Sequence, residues 1–301
     1  MAGERIILGT RGSDLALAQT RAVESALRQS CDGLEVAVEI IRTSGDEIAG
    51  RVPPAPGKAG RKGMFTREIE KELIAGRIDV AVHSAKDLQS EPADHLEIRA
   101  TLARANTDDV LITKNGVGLT TLPKGSTIAT GSIRRQRQLA WQRPDLRIAE
   151  LRGNVPTRLR KLRENEQWSG IILARAGLER LGIAFDGEIL SQEFFLPAGG
   201  QGVIALQVRR DDERVQRIAD LLDDKPTHLS LRAEREFLRL VGGDCNCPVG
   251  VQARIENGAL ILRAQIFENE RTEPKTGKVI AKLDDTDPEL IARALFSQMY
   301  G

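Results

Sequence analysis

Three groups of side chains in this sequence are of types that bind anions, move protons or form covalent bonds. The first is a set of arginines where strand-like runs end. Arg11 lies in the first strand-to-helix turn, Arg134 and Arg135 lie in TGSIRRQRQL, and Arg152 and Arg158 flank the end of RIAELRG and the helix after it. Guanidinium groups beside the free N–H groups of helix N-termini suit carboxylate and phosphate alike. In open α/β sheets, ligands collect outside the carboxyl ends of the strands. A single arginine there is usually a solvated surface charge; five at corresponding places point to an anion-lined cleft. The second group is His83-Ser84-Ala85-Lys86-Asp87, directly after the strand-like DVAV. A carboxylate next to an ammonium can stabilise a cation and move protons. The same pair can simply cap a helix, and spacing leaves both readings open. His83 reads as a packed or hydrogen-bonded histidine rather than a catalytic base. The third group is Gly242-Gly243-Asp244-Cys245-Asn246-Cys247-Pro248. With only Cys31 elsewhere, there are too few ligands for a structural zinc site, and a disulfide at C-x-C spacing is strained. A nucleophilic or covalently modified thiol in a glycine-rich loop remains, as does a pair of buried structural cysteines.

The elements that must position these groups alternate. RIIL at 5–8 is a strand, 14–29 a helix with Asp14 as N-cap, and 35–42 the next strand. A helix over 65–76 has Thr66 as its cap and Gly76 as its stop, and 79–83 is again a strand. This order predicts an α/β domain with a largely parallel sheet. The pattern restarts with strands at 109–113, 126–130, 147–151 and 170–174 and helices at 133–142 and 156–165. One more strand, VIALQV, follows the turn PAGGQG, and helices are expected over 211–223 and 227–240. The last stretches, VQARIE, GALILRAQIF and VIAKLDD, read as an antiparallel sheet with a helix near 287–298, a small α+β domain. Residues 46–63 are rich in Gly, Pro and Lys/Arg without periodicity, the signature of a lid or a disordered loop.

Composition narrows the function classes. The 301 residues are 41% hydrophobic and 29% charged, as in globular proteins. The formal net charge of +1 gives no global pull on nucleic acid or anionic membrane, so any basic site is local. Aromatics are 3%, which disfavours base- or sugar-stacking surfaces. No apolar run approaches the ~20 residues of a membrane helix, and MAGERIILGT lacks the apolar stretch of a signal peptide. With only three cysteines, a reducing, cytoplasmic compartment is expected. P-loop, dinucleotide-binding, H-E-x-x-H and G-x-S-x-G patterns are absent, and no metal site is expected.

Taken together and in order, LGTRGSDLALAQT, GRKGMFTREIE, DVAVHSAKDL, IATGSIRRQRQL, LRGNVPTRLRKL, IILARAGLERLG, LPAGGQGVIALQVR and GGDCNCPVG resemble the porphobilinogen deaminases, or hydroxymethylbilane synthases, of tetrapyrrole biosynthesis. The resemblance runs nearly the whole chain. It implies an α/β protein with two periplasmic-binding-protein-like α/β domains plus a small C-terminal α+β domain with an antiparallel sheet. The implied domains are 1–102 with a return segment 199–220, then 103–198, then 221–301. It implies a monomeric transferase that condenses four porphobilinogens into linear hydroxymethylbilane with release of ammonia, primed on a covalent dipyrromethane cofactor. The partners implied are porphobilinogen and the growing polypyrrole chain, not nucleic acid or membrane.

Each pyrrole carries an acetate and a propionate, so the chain grows as a polyanion. By resemblance, Arg11, Arg134, Arg135, Arg152 and Arg158 hold those carboxylates, helped by Ser13, Gln19, Ser84, Thr130 and Ser132, and Lys86 faces another. Asp87 occupies the catalytic acid/base position; it would assist loss of ammonia, stabilise the cationic azafulvene and help deprotonate the coupled ring. Asp46, Lys62 and Phe65 belong to the lid. Cys245, three residues before Pro248, matches the cofactor cysteine, and Cys247 is its rival because Asp244 is inserted after the glycine pair. Gln89 replaces a usual Pro, and Gly131 replaces a usual Ser. Two other readings share the arginines. An anion-binding module without catalysis needs neither Asp87 nor Cys245, and a nucleic-acid-binding regulator predicts steeply salt-dependent binding.

Overall fold

The computed structural model describes residues 4–43, 66–91, 93–242, 248–268, 273–283 and 287–301. Asp46, Lys62, Phe65, Asp244, Cys245 and Cys247, on which the lid and tether expectations rest, lie outside them. Packing groups the chain into two units, Met1–Arg104 with Val203–His228, and Ala105–Gly202 with Leu229–Gly301.

In the first unit, the apolar run of β1 (Arg5–Arg11) pairs in parallel with β2 (Glu35–Ile41) and β3 (Val80–Ser84). Strand β4 (Leu96–Thr101) completes the other edge, and β10 (Ile204–Arg209) inserts between β3 and β4, antiparallel to both. The sheet is thus parallel except for one reversed strand brought back from far along the chain. Helices α1 (Asp14–Ser30) and α6 (Glu213–Asp220) cover one face, packing Val23, Leu27, Val215 and Ile218 onto Ile6, Leu8, Val80 and Leu206. Helix α2 (Arg67–Ile74) covers the other with Ile69 and Leu73 against Ile78 and Ala81. Burial on both faces explains why β10 is apolar from Ile204 to Leu206 and at Val208, with Gln207 the buried polar exception. Asp14 is not the N-cap of α1: Ser13 is, its Oγ accepting the Ala16 N–H at 3.4 Å, while Asp14 sits in the first turn, where its charge favours the helix dipole. Thr66 precedes α2 but makes no capping hydrogen bond.

The second unit repeats the scheme. Its sheet runs β7 (Arg147–Ala149), β6 (Thr127–Ala129), β8 (Gly170–Ala174), β5 (Asp109–Thr113) and β9 (Glu188–Ile189), with β5 reversed against β8. Helix α3 (Ile133–Gln142) packs Leu139 on one face, and α4 (Val155–Glu164) and α5 (Arg175–Arg180) pack Leu162 and Leu178 on the other. In the same unit, β11 (Val249–Glu256), β12 (Ala259–Ile266) and β13 (Lys275–Lys282) form an antiparallel sheet. Helices α7 (Lys225–Leu240) and α8 (Pro288–Tyr300) share a core with it, built on Phe237, Val251, Leu260, Leu262 and Leu295. Fold class is therefore as the sequence predicts: two α/β sheets and a smaller antiparallel α+β layer. Phe237 is fully buried at the centre of that layer. Phe237→Ala is expected to destabilise the protein by about 3–5 kcal/mol, lost packing plus a residual cavity, read as a lower urea midpoint.

Candidate active site

In the first unit, β1 and β3 are parallel, so their carboxyl ends share one edge of the sheet. Arg11 is the last residue of β1, Ser13 caps α1, and β3 ends at Ser84. The chain then makes one 3-10 turn, Ala85–Asp87. That turn is pinned on both sides. The Ala85 N–H binds the Val203 carbonyl at 3.0 Å, and buried Leu88 closes the turn onto the Ala85 carbonyl. Lys86 and Asp87 are half-buried in consequence. Gln19, buried on α1, donates its Nε2 to Ser84 Oγ at 2.8 Å, tying the helix to the strand end. His83 is buried and lies 3.1 Å from Gln207 Oε1 through its Nε2. It packs as a structural histidine, as its setting in DVAVH predicts.

In the second unit, β6, β7 and β8 end at a common edge. After β6, buried Thr130 accepts the Ser132 N–H on its hydroxyl at 3.3 Å, shaping the entry to α3. Gly131 between them carries no side chain for a reason: a Cβ there would stand 2.5 Å from the Leu151 carbonyl. Gly131 thus marks a close approach of two strand-end loops. After β7, Arg152 pairs with Glu150 at 2.9 Å, and Arg158 donates Nε to the Gly153 carbonyl at 2.7 Å. Both are half-buried.

Arg134 and Arg135 are not solvated strand-end charges. They are 3% and 5% exposed. Arg134 Nη1 reaches Asp109 Oδ2 at 2.7 Å, Leu196 O at 2.8 Å and Gln138 Oε1 at 2.9 Å. Arg135 donates Nη2 to Asp109 Oδ1 at 2.7 Å and Nη1 to the Ile172 carbonyl at 3.0 Å. Burial pushes the Asp109 carboxyl up, but the charges and hydrogen bonds of the two arginines outweigh it and hold it well below the usual carboxylate range. From its sequence neighbours, Asp109 reads only as the start of the strand DVLIT. The available signal is a charged residue opening the apolar run VLI; the structure buries all five positions of that strand, and an unpaired buried charge is prohibitively costly.

Sequence profiles decide the kinship. The profile of "Porphobilinogen deaminase, dipyromethane cofactor binding domain" matches residues 6–217, and that of "Porphobilinogen deaminase, C-terminal domain" matches residues 228–301. The chain belongs to the porphobilinogen deaminase family. It is 47% identical to the porphobilinogen deaminase of Roseiflexus sp. (strain RS-1) over 266 residues, 87% of this chain and 86% of that one. It is 42% identical to that of Syntrophomonas wolfei over 298 residues, 97% of this chain and 95% of that one. Among solved structures, the methionine-binding protein MetQ aligns over 74% of this chain and 92% of its own, at 13% identity and a TM-score of 0.44.

Membership in the porphobilinogen deaminase family makes the chain a transferase, a hydroxymethylbilane synthase of tetrapyrrole biosynthesis acting on porphobilinogen with a dipyrromethane cofactor. The residues present fit such a group. Two buried guanidinium groups share the single Asp109 carboxylate, and the Nε of each has no hydrogen-bond partner among the described residues. That leaves surplus positive charge and unused donors, which suits an acidic pyrrole. No helix among the described residues is long and apolar enough to cross a membrane.

Proposed function

We propose that Asp87 is the catalytic acid/base of this transferase and that two cationic strand-end clusters hold the acidic pyrroles. What supports this most is the pinned turn bearing Asp87. A half-buried carboxylate on a fixed backbone, at the sheet edge that also carries Arg11 and the Gln19–Ser84 pair, is preorganised for positive charge that develops during reaction. Asp87 assists departure of ammonia from the aminomethyl carbon of porphobilinogen. It then faces the cationic carbon–carbon coupling step and takes part in removing the proton from the coupled ring carbon. Net, one carbon–nitrogen bond breaks, one carbon–carbon bond forms and no electrons are transferred to an acceptor.

Arg11, Ser13, Gln19, Arg152 and Arg158 bind substrate carboxylates in this reading. Lys86, Arg134, Arg135, Ser84, Thr130 and Ser132 would hold the cofactor, which would supply the pyrrole carbon for the first coupling. Cys245 carries the thioether, and Asp46, Lys62 and Phe65 serve the lid. Residues 221–301 act as a cofactor-bearing domain beside domains 1–102 with 199–220 and 103–198; the separate core around Phe237 favours this division. The protein works in the cytoplasm as a monomer, without nucleic acid or membrane, in line with its near-neutral charge. Ammonia and bilane measured together test the activity. Four ammonia per bilane is expected, and porphobilinogen left unconsumed by the holoenzyme would overturn it.

A further inference from the structure

We infer that Asp109 is a positioning residue for this reaction: it holds Arg134 and Arg135 in the one arrangement that leaves their remaining N–H groups for an acidic pyrrole. The inference rests on the proposed cofactor-holding role of those arginines. Asp109 opens β5, and because β5 runs against β8 (Asp109 opposite Ala174), its carboxylate arrives at the edge where β6 and β8 end. It has no solvent exposure. One oxygen binds Arg134; the other binds Arg135 and also accepts Gln201 Nε2 at 2.8 Å. Arg134 gives its Nη1 to Asp109, the Leu196 carbonyl and Gln138 together, whereas Arg135 is held through Nη2 by Asp109 and through Nη1 by the Ile172 carbonyl. Gln138 continues to Gln265 on β12 at 2.7 Å, and Gln201 to the Thr107 carbonyl at 2.7 Å. A planar fork held through both Nη groups, as in Arg135, cannot swing to follow a ligand, and the Nη1 of Arg134 is fixed by three acceptors at once.

The charge balance separates positioning from mere support. A structural buried ion pair is neutral, since uncompensated charge in the interior is expensive. Here two cations share one anion, with both Nε groups buried and without partners among the described residues. A ligand carboxylate would complete the balance, and Asp109 determines where the donors that receive it stand.

The test uses the full-length protein and four chains: the parent, Asp109→Asn, Asp109→Glu, and Leu27→Ala as a destabilised control in the first unit. The first readout is the fraction of folded chains carrying pyrrole, by intact mass. Asp109→Asn should carry about 10-fold less than the parent, the scale on which partners that orient a binding side chain act. Asp109→Glu should recover part of the loss, and Leu27→Ala should match the parent. Parent-like loading in folded Asp109→Asn overturns the inference. If that variant does not fold, Asp109→Glu is read in its place: reduced loading supports the inference and parent-like loading overturns it. The second readout needs no pyrrole: the Nε–H signals of Arg134 and Arg135 in nitrogen-15 spectra. They should be ordered in the parent and shifted or lost in the Asp109 variants; unchanged signals overturn the inference. A parent chain that neither carries nor takes up pyrrole counts against the activity itself, and the spectra still decide the role of Asp109.

Discussion

Replacing Asp87 by Asn is expected to lower kcat by about 10²–10⁴-fold, the range that a positioned acid/base contributes, with the fold intact. Asn preserves the shape of the side chain, and the turn it sits on is held by other groups, the Ala85 N–H on Val203 and buried Leu88. What is lost is negative charge facing developing positive charge, and the ability to move a proton. The measurement is single-turnover consumption of porphobilinogen, with near-UV circular dichroism as the check on folding. A variant that folds and turns over within a few-fold of the parent would remove Asp87 from the mechanism. The neighbour Lys86 should behave differently. Its proposed contact is with a carboxylate that persists through the reaction, so Lys86→Met should act on binding of the acidic pyrroles more than on the coupling step.

The second large effect is expected at Cys245. Cys245→Ser should abolish the covalent pyrrole and with it nearly all turnover, whereas Cys247→Ser should leave both in place. The tether keeps the growing chain on the protein, so that each bound porphobilinogen meets an oriented partner, and well-oriented reactions of bound partners reach effective concentrations of about 10⁵–10⁸ M. A serine hydroxyl lacks the acidity and nucleophilicity of a thiol and cannot replace it. Turnover and intact mass measured on both variants settle the assignment. The reverse pattern, with Cys247→Ser inactive and unmodified, would move the tether by two residues.

Much of this fold is legible because helical periodicity and caps are local signals. Helix α3 begins and ends where its apolar spacing says, and α4 starts after Asn154, whose side chain accepts the Thr157 N–H at 2.9 Å. Strand β4 is less legible. It is an edge strand with Glu97 and Arg99 alternating along it, and the resulting polar run resembles loop. The reversal of β5 and β10 is not written in their residues at all. DVLIT and VIALQV read as buried strands in either direction, and only pairing across the chain sets which way they run.

The site divides in the same way. The arginines were visible by type and place, because strand ends followed by helices are ordinary anion sites. That Arg134 and Arg135 would be buried on Asp109 was not visible, since the partners are 25 and 26 residues apart and belong to different elements. Gly131 shows the limit from the other side. Its sequence neighbours give no sign that a carbonyl from a neighbouring loop leaves no room for a Cβ there.

The most direct measurement of the central claim is the intact mass of the purified chain, followed by peptide mapping of residues 242–250. The expected result is an excess of two linked pyrroles, carried on Cys245 and extended by further rings on addition of porphobilinogen. A chain of unmodified mass that takes up no pyrrole from porphobilinogen or preformed hydroxymethylbilane, and makes no bilane, would contradict it.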